Sequence, residues 1–420
     1  MRHRIKGLLT AAALLCGFLG GCSDHQVVTE NRNVTEITLS WWGNDARTEY
    51  TLEAVQQFEA LHPDIKVNCS YSEWSGYEAR SRVQMVSDTE ADVMQINFGW
   101  LSEYSQDGTG YYDLSKVEDT LDLSNFTEPM LDYGRKNGVL NAVPIAMNAE
   151  TIYINKTIYD KYGLDVPETW DDYFAAAAVM QKDGVYPLSG VAKSVWLYTL
   201  TYAEQMTGKP FLRDDGSLNF NAHQLRIMLE YYDRMVEQKV IPQVEYYDRL
   251  NIEKGVYAGG IAWVSDAKNY FGGAADKGYE IVIADYTAKP GMKHGDGWYA
   301  KPATMYAISK NTEHPTESAM LLDFLLNSPE MAKLQGVEKG IPLSSAARQT
   351  LEEEGMLQGL QYQASLKMEE NTELGKMNAF VENSGLIDAF VEACNLVVYE
   401  KATPEEAAQA LYETIQSNYT

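Results

Sequence analysis

The sequence predicts an α/β fold built on parallel sheet, and three stretches near its start carry that expectation. Ile37, Leu39 and Trp41 alternate with polar residues, which marks a strand. Leu52, Val55, Phe58 and Leu61 then recur at helical spacing until His62-Pro63 stops them. Ile65, Val67, Cys69 and Tyr71 alternate again as a second strand. Strands and helices taking turns at these lengths favour a parallel sheet with helices on both faces.

The pattern continues along the chain. A helix is expected from about Tyr77 to Val86, then a third strand over Asp92 to Asn97. Val143-Pro144-Ile145-Ala146-Met147 leads into a strand at Thr151 to Lys156, where a second globular unit begins near residue 148. Thr169 is the expected cap of an Ala-rich helix beginning at Trp170. Residues 257–264, 279–284 and 305–309 read as further strands, and Thr316 to Asn327 as a largely buried helix. Thr403-Pro404-Glu405-Glu406 has the form of a capping box with Pro at the first helical position.

The N-terminus points to export. Arg2, Arg4 and Lys6 precede an apolar run from Leu8 to Leu19, about a dozen residues, the length of a signal-peptide core and short for a membrane span. Leu19-Gly20-Gly21-Cys22 resembles a lipobox, which implies cleavage after residue 21 and acylation of Cys22. Residues 22–36 are then a lipid-anchored linker, and the lipid would hold the protein at the outer face of a membrane. Loss of residues 1–21 takes the formal charge from −26 to −29. Such an acidic chain is unsuited to nucleic acid or anionic lipid. Cys69 and Cys394 are the cysteines left beyond Cys22, and they are either free or paired with each other.

In open parallel sheets, ligands sit beyond the carboxyl ends of the strands. The loops there are Trp42-Gly43-Asn44-Asp45, Glu73-Trp74-Ser75-Gly76 and Asn97-Phe98-Gly99-Trp100, and each brings a tryptophan to the rim. Three such rings suggest a surface that waits for a partner, the alternative being that some of them cap the sheet edge.

Taken in order, several pieces resemble the extracellular solute-binding proteins of family 1. They are Ser40 to Pro63, Ala91-Asp92-Val93-Met94-Gln95, Tyr153-Ile154-Asn155-Lys156 through Trp170-Asp171-Asp172-Tyr173, Tyr257 to Ala262, Ala307-Ile308-Ser309-Lys310 and Gly340-Ile341-Pro342. The resemblance implies a two-lobed, type II periplasmic-binding-protein-like fold with a three-crossing hinge that closes on a ligand. By analogy the N-terminal lobe is 37–147 plus 285–327, and the C-terminal lobe 148–284 plus 328–420. It also implies a monomer that delivers solute to the permease of an ABC importer.

Sugars offer C–H faces to aromatic rings and hydroxyl edges to polar groups. Candidate stacking residues are Trp42, Trp74, Trp100, Trp196, Tyr198, Trp263, Trp298 and Tyr299, and this supply favours an oligosaccharide over a monosaccharide. The resemblance adds Asn44, Asp45 and Arg47 in the first strand–helix loop, and Asn97 and Asn148, the last at a position where a member of the family carries a carboxylate. Asp266 either accepts from sugar hydroxyls or caps the next helix. Trp170 is read as structural. No metal-ligand spacing, P-loop, nucleophile elbow or dinucleotide fingerprint is found, so no cofactor, metal or catalysis is expected. A polyamine, a peptide or another small solute is the alternative cargo, and a glycan-acting enzyme the remote one.

Overall fold

The computed structural model describes residues 34–213 and 216–418. The expected leader, the Cys22 lipidation site and most of the linker lie outside the described residues. The strands in chain order are β1 (Thr35–Trp42), β2 (Ile65–Ser72), β3 (Val93–Ile96), β4 (Arg135–Lys136), β5 (Val139–Leu140) and β6 (Ala142–Asn155). They continue with β7 (Gly259–Trp263), β8 (Ile281–Ile283), β9 (Tyr299–Ile308) and β10 (Gly375–Lys376).

The alternating pattern at the start forms the expected units. β1 lies between β2 and β3 and runs parallel to both, in register from Thr35↔Ile65 to Trp42↔Ser72 on one side. β9 closes on β3 antiparallel, and β6 on β9 likewise, in the order β2-β1-β3-β9-β6-β7. The helix Asp45–Leu61 lays Val55 and Phe58 on one face of this sheet, where Phe58 meets Phe324 edge-on at 5.6 Å. Residues of the helices Trp74–Ser87 and Trp100–Tyr104 bury on the other face with Met94, Ile96 and Met305.

The stretches at 143–147 and 151–155, read separately in the sequence, are one strand of 14 residues. A near-continuous buried run is what a strand covered on both faces requires. Ala142 to Ala149 pair with β9, and from Glu150 onward β6 pairs with β7 and β8, antiparallel to both. Parallel bridges Tyr186↔Tyr257 and Gly190↔Ile261 extend this second sheet. Each half is thus a set of parallel strands with one antiparallel crossing strand, β9 in the first and β6 in the second.

Two large cores result. One gathers Ile37, Leu39, Trp41, Tyr306 and Leu322, and the other Ile152, Trp196, Tyr232, Phe390 and Leu411. Their membership differs from the expected boundaries at 285 and 328. Tyr286 and Trp298 belong to the second core, because the chain returns only with β9, whereas Met331 and Leu343 belong to the first. Cys69 packs at the edge of the first core and Cys394 inside the second, both as free thiols. Thr169 and Thr403 cap their helices as expected, the second through reciprocal bonds with Glu406.

The loop after the helix Pro329–Gln335 rests on β6, where Leu343 N donates to Ile145 O at 2.9 Å. Gly340 has φ +103°, and a Cβ there would lie 2.6 Å from the Ala146 Cβ. Gly340→Ala is expected to cost about 1–3 kcal/mol, read as a lowered urea midpoint with unchanged slope; an unaltered midpoint would show that the loop does not hold the strand.

Candidate ligand cleft

The carboxyl ends of β1, β2 and β3 bring the three rim tryptophans together. Adjacent strands lie about 4.8 Å apart, so residues that follow them share one patch. Trp42 meets Trp74 edge-on at 5.0 Å, and Trp74 stacks on Trp100 at 6.0 Å. Trp100 in turn lies flat over Tyr77 at 6.0 Å and is 4% exposed. Trp74, at 37% exposed, is the ring presented to solvent, Trp42 is half-buried, and Trp100 supports both from beneath. Tyr77 anchors the stack by donating to the Gln95 carbonyl at 2.7 Å.

A cleft of about 570 Å³ opens between the two cores beside this rim. Phe98, Ser102 and Lys136 line one side, and Pro210 to Arg213, Met377 to Ala379 and Val381 the other. Tyr299, at the start of β9, lies among them. Its hydroxyl donates to Glu204 Oε2 at 2.6 Å, while Phe211 N donates to Glu204 Oε1 at 2.6 Å. Burial pushes Glu204 up to about 7, against the pull of both donors. One buried carboxyl therefore fixes two residues of the wall.

Further along the crossing strands, Asn148 of β6 stands opposite Lys301 of β9. Lys301 Nζ lies 4.7 Å from the centre of the Trp263 ring, and Lys193 Nζ 5.3 Å. Both ammoniums bind one carboxylate, Glu382, with Lys301 at 2.5 Å. Burial works to raise the Glu382 pKa, but the two cations override it and hold the carboxyl below its usual range. Burial lowers the Lys301 pKa, Glu382 offsetting only part of the effect.

Most of the remaining sequence candidates are occupied locally. Asn44 caps its helix by accepting from Arg47 N at 2.9 Å, and Asp45 is exposed in the first turn. Arg47 Nη2 donates to Glu338 O at 2.9 Å. Asn97 accepts from Gly99 N, and Asn148 exchanges two hydrogen bonds with Ser265 at 3.0 and 3.1 Å. Asp266 is half-buried beside Trp263 and makes no side-chain cap bond to its helix. Trp196, Tyr198 and Trp298 are corrections to the sequence reading: at 0%, 1% and 3% exposed they fill the second core. The indoles of Trp196 and Trp298 donate to Val381 O and Thr287 O. Large aromatics near a predicted loop were simply buried.

Lys136, Arg213, Lys301, Lys376 and Glu382 were missed. Lys136 sits on a hairpin whose Asn137 and Gly138 have φ +48° and +82°, and Asn-Gly is a strong turn signal. That signal finds the turn, but nothing in the sequence aims it at the cleft. Among the described residues no three His, Cys, Asp or Glu side chains converge on a point that could hold a metal.

Glu150 lies beneath Trp263, 3% exposed, and accepts from Ser194 Oγ at 2.9 Å. Burial pushes its carboxyl up to about 8, outweighing the Ser194 bond and the Lys193 charge, while Asp266 and Glu382 push the same way. Folding therefore takes up a proton above the ordinary Glu range, and this contribution to stability is lost as pH rises toward 8. Glu150→Gln is expected to remove a slope of up to ~1.4 kcal/mol per pH unit and to gain on the parent in thermal melts from pH 5 to pH 8. Parallel profiles for the two proteins would contradict this.

Comparison with known proteins is consistent with this architecture. A bacterial extracellular solute-binding protein family matches residues 44–332. A periplasmic oligogalacturonide binding protein from Yersinia enterocolitica, solved with saturated digalacturonic acid, is 31% identical with a TM-score of 0.78, covering 90% of this chain and 97% of its own. A de novo designed cysteine esterase superposes with a TM-score of 0.83 at 31% identity, covering 91% and 97%. A multiple sugar-binding protein of Streptococcus mutans is 22% identical over 80% of this chain and 82% of its own. With the family match spanning most of its length and the two-core α/β fold in place, the chain belongs to the bacterial extracellular solute-binding proteins.

Proposed function

We propose that this protein binds an oligosaccharide in the cleft between two lobes and delivers it to the permease of an ABC importer. The observation that carries the reading is the cleft itself, a groove lined in part by Phe98, Phe211 and Tyr299 between two separately packed cores, in a chain 31% identical to an oligogalacturonide binding protein over 90% of its length. A Bacillus subtilis relative named for melibiose, raffinose and stachyose binding, 26% identical over 60% of this chain, supports the same cargo class. On core membership, one lobe is about 34–149 with 300–353 and the other about 150–299 with 360–418. The lobes act as one monomeric clamp, and a ligand that touches both favours the closed form. Acylation at Cys22, read from the sequence motif, tethers the clamp to the membrane that holds the permease. A polyamine is the weaker cargo, since the lining cations Lys136, Arg213 and Lys376 would repel it.

Micromolar capture needs about −8 kcal/mol, within reach of two or three stacked rings at about 0.5–1.5 kcal/mol each beyond area burial plus several hydrogen bonds. Titrating residues 23–420 with a panel of oligosaccharides is expected to give a saturable change in tryptophan emission. Trp74→Ala is expected to weaken that binding roughly 3- to 10-fold without lowering the melting temperature. Silence toward every glycan, with a response to peptides or amines, would overturn the reading.

A further inference from the structure

We infer that the oligosaccharide is an acidic one, built of uronate units whose carboxylates are met by lysine and arginine in the cleft. This rests on the oligosaccharide reading above and names its chemical class. The chain carries 60 Asp and Glu against 34 Lys and Arg, so a patch chosen at random is acidic. The described residues lining the cleft reverse this: Lys136, Arg213 and Lys376 are among them and no Asp or Glu is. A cleft for neutral sugars has most use for carboxylates and amides, which accept from hydroxyls. A wall whose described charged residues are all cations is suited to a cargo that brings its own negative charge.

The individual side chains agree. Lys136 Nζ reaches Ser102 Oγ at 3.3 Å and pairs with no carboxylate among the described residues. Lys376 Nζ lies 4.9 Å from the centre of the Tyr133 ring and bonds Asp132 O at 3.1 Å and Oδ2 at 3.4 Å, an exposed pair that a cargo carboxylate could replace. Among the described residues, the Arg213 Nη1 bonds go to Ser217 Oγ and Leu218 O, neither of which carries a full charge. Beside Trp263, Lys193 and Lys301 both bind the carboxylate of Glu382, with Asp266 also close to Lys193, so the charges where β6 and β9 cross are paired among themselves.

The experiment is calorimetric titration of residues 23–420 with di- and trigalacturonic acid, their methyl esters, a neutral oligosaccharide such as raffinose and a sulfated disaccharide. The expected result is saturable binding of the free acids that weakens as salt is raised, with at least 10-fold weaker binding of the esters. Lys136→Gln, whose parent side chain bonds only Ser102 among the described residues, is expected to weaken acid binding about 10-fold with an unchanged melting temperature; Lys376→Gln acts in the same direction. Equal affinity for acid and ester, or binding of raffinose alone, would overturn the inference and leave the oligosaccharide reading standing. Binding of the sulfated sugar alone would overturn the uronate class. Silence toward all four would overturn both.

Discussion

The antiparallel pairing of β6 with β9 is the contact on which the rest of the molecule depends. β6 is a full member of two sheets, joined to β9 through Ala149↔Ala300 and to β7 and β8 from Glu150 onward. The register places Asn148 opposite Lys301, and it brings Tyr299 into the cleft wall and Lys301 against the Trp263 ring. A one-residue slip would turn each of these side chains to the other face. The site is precise because it is built on the strands that tie the cores together, with Glu204 and Glu382 bracing it from behind.

Electrostatics is divided sharply between surface and cleft. The formal charge of −26 is carried by scattered carboxylates, while cations gather where the cores face each other. At physiological salt, exposed charges act over only about 8 Å, so the lining lysines govern a molecule already in the cleft and the acidic exterior governs encounter. For an anionic cargo these two effects oppose each other. Salt screening is then expected to ease approach while loosening the bound state, so affinity and association rate need not change together.

The fold was legible because hydrophobic periodicity is a local property. Ile37 to Trp41, Leu52 to Leu61 and Ile65 to Tyr71 each formed the element that their spacing implied. The rim tryptophans were legible for the same reason, since strand ends can be read locally and their loops follow. The cleft was less so. Trp196, Tyr198 and Trp298 look like binding aromatics until the packing of distant helices buries them. Lys136 and Lys376 are ordinary lysines until a long stretch of intervening chain folds them into one cleft. Core membership was hard to read for the same reason: the core that Trp298 or Met331 joins depends on contacts far away in sequence.

The interleaved cores also set the order of events in folding. The first core draws on residues from Ile37 to Leu343, and the second on residues from Ile152 to Ile415. A chain emerging from its N-terminus can form β1, β2 and β3 early, but β9 is missing until residue 308 has appeared. Closing contacts of this sequence separation is slow, because loop entropy is lost before the contacts can offset it. For a protein of an extracellular family that delay is useful. A chain that cannot complete either core until most of it is available would stay threadable if the leader implied by its sequence directs export, and shared use of β6 joins the two halves once both are present.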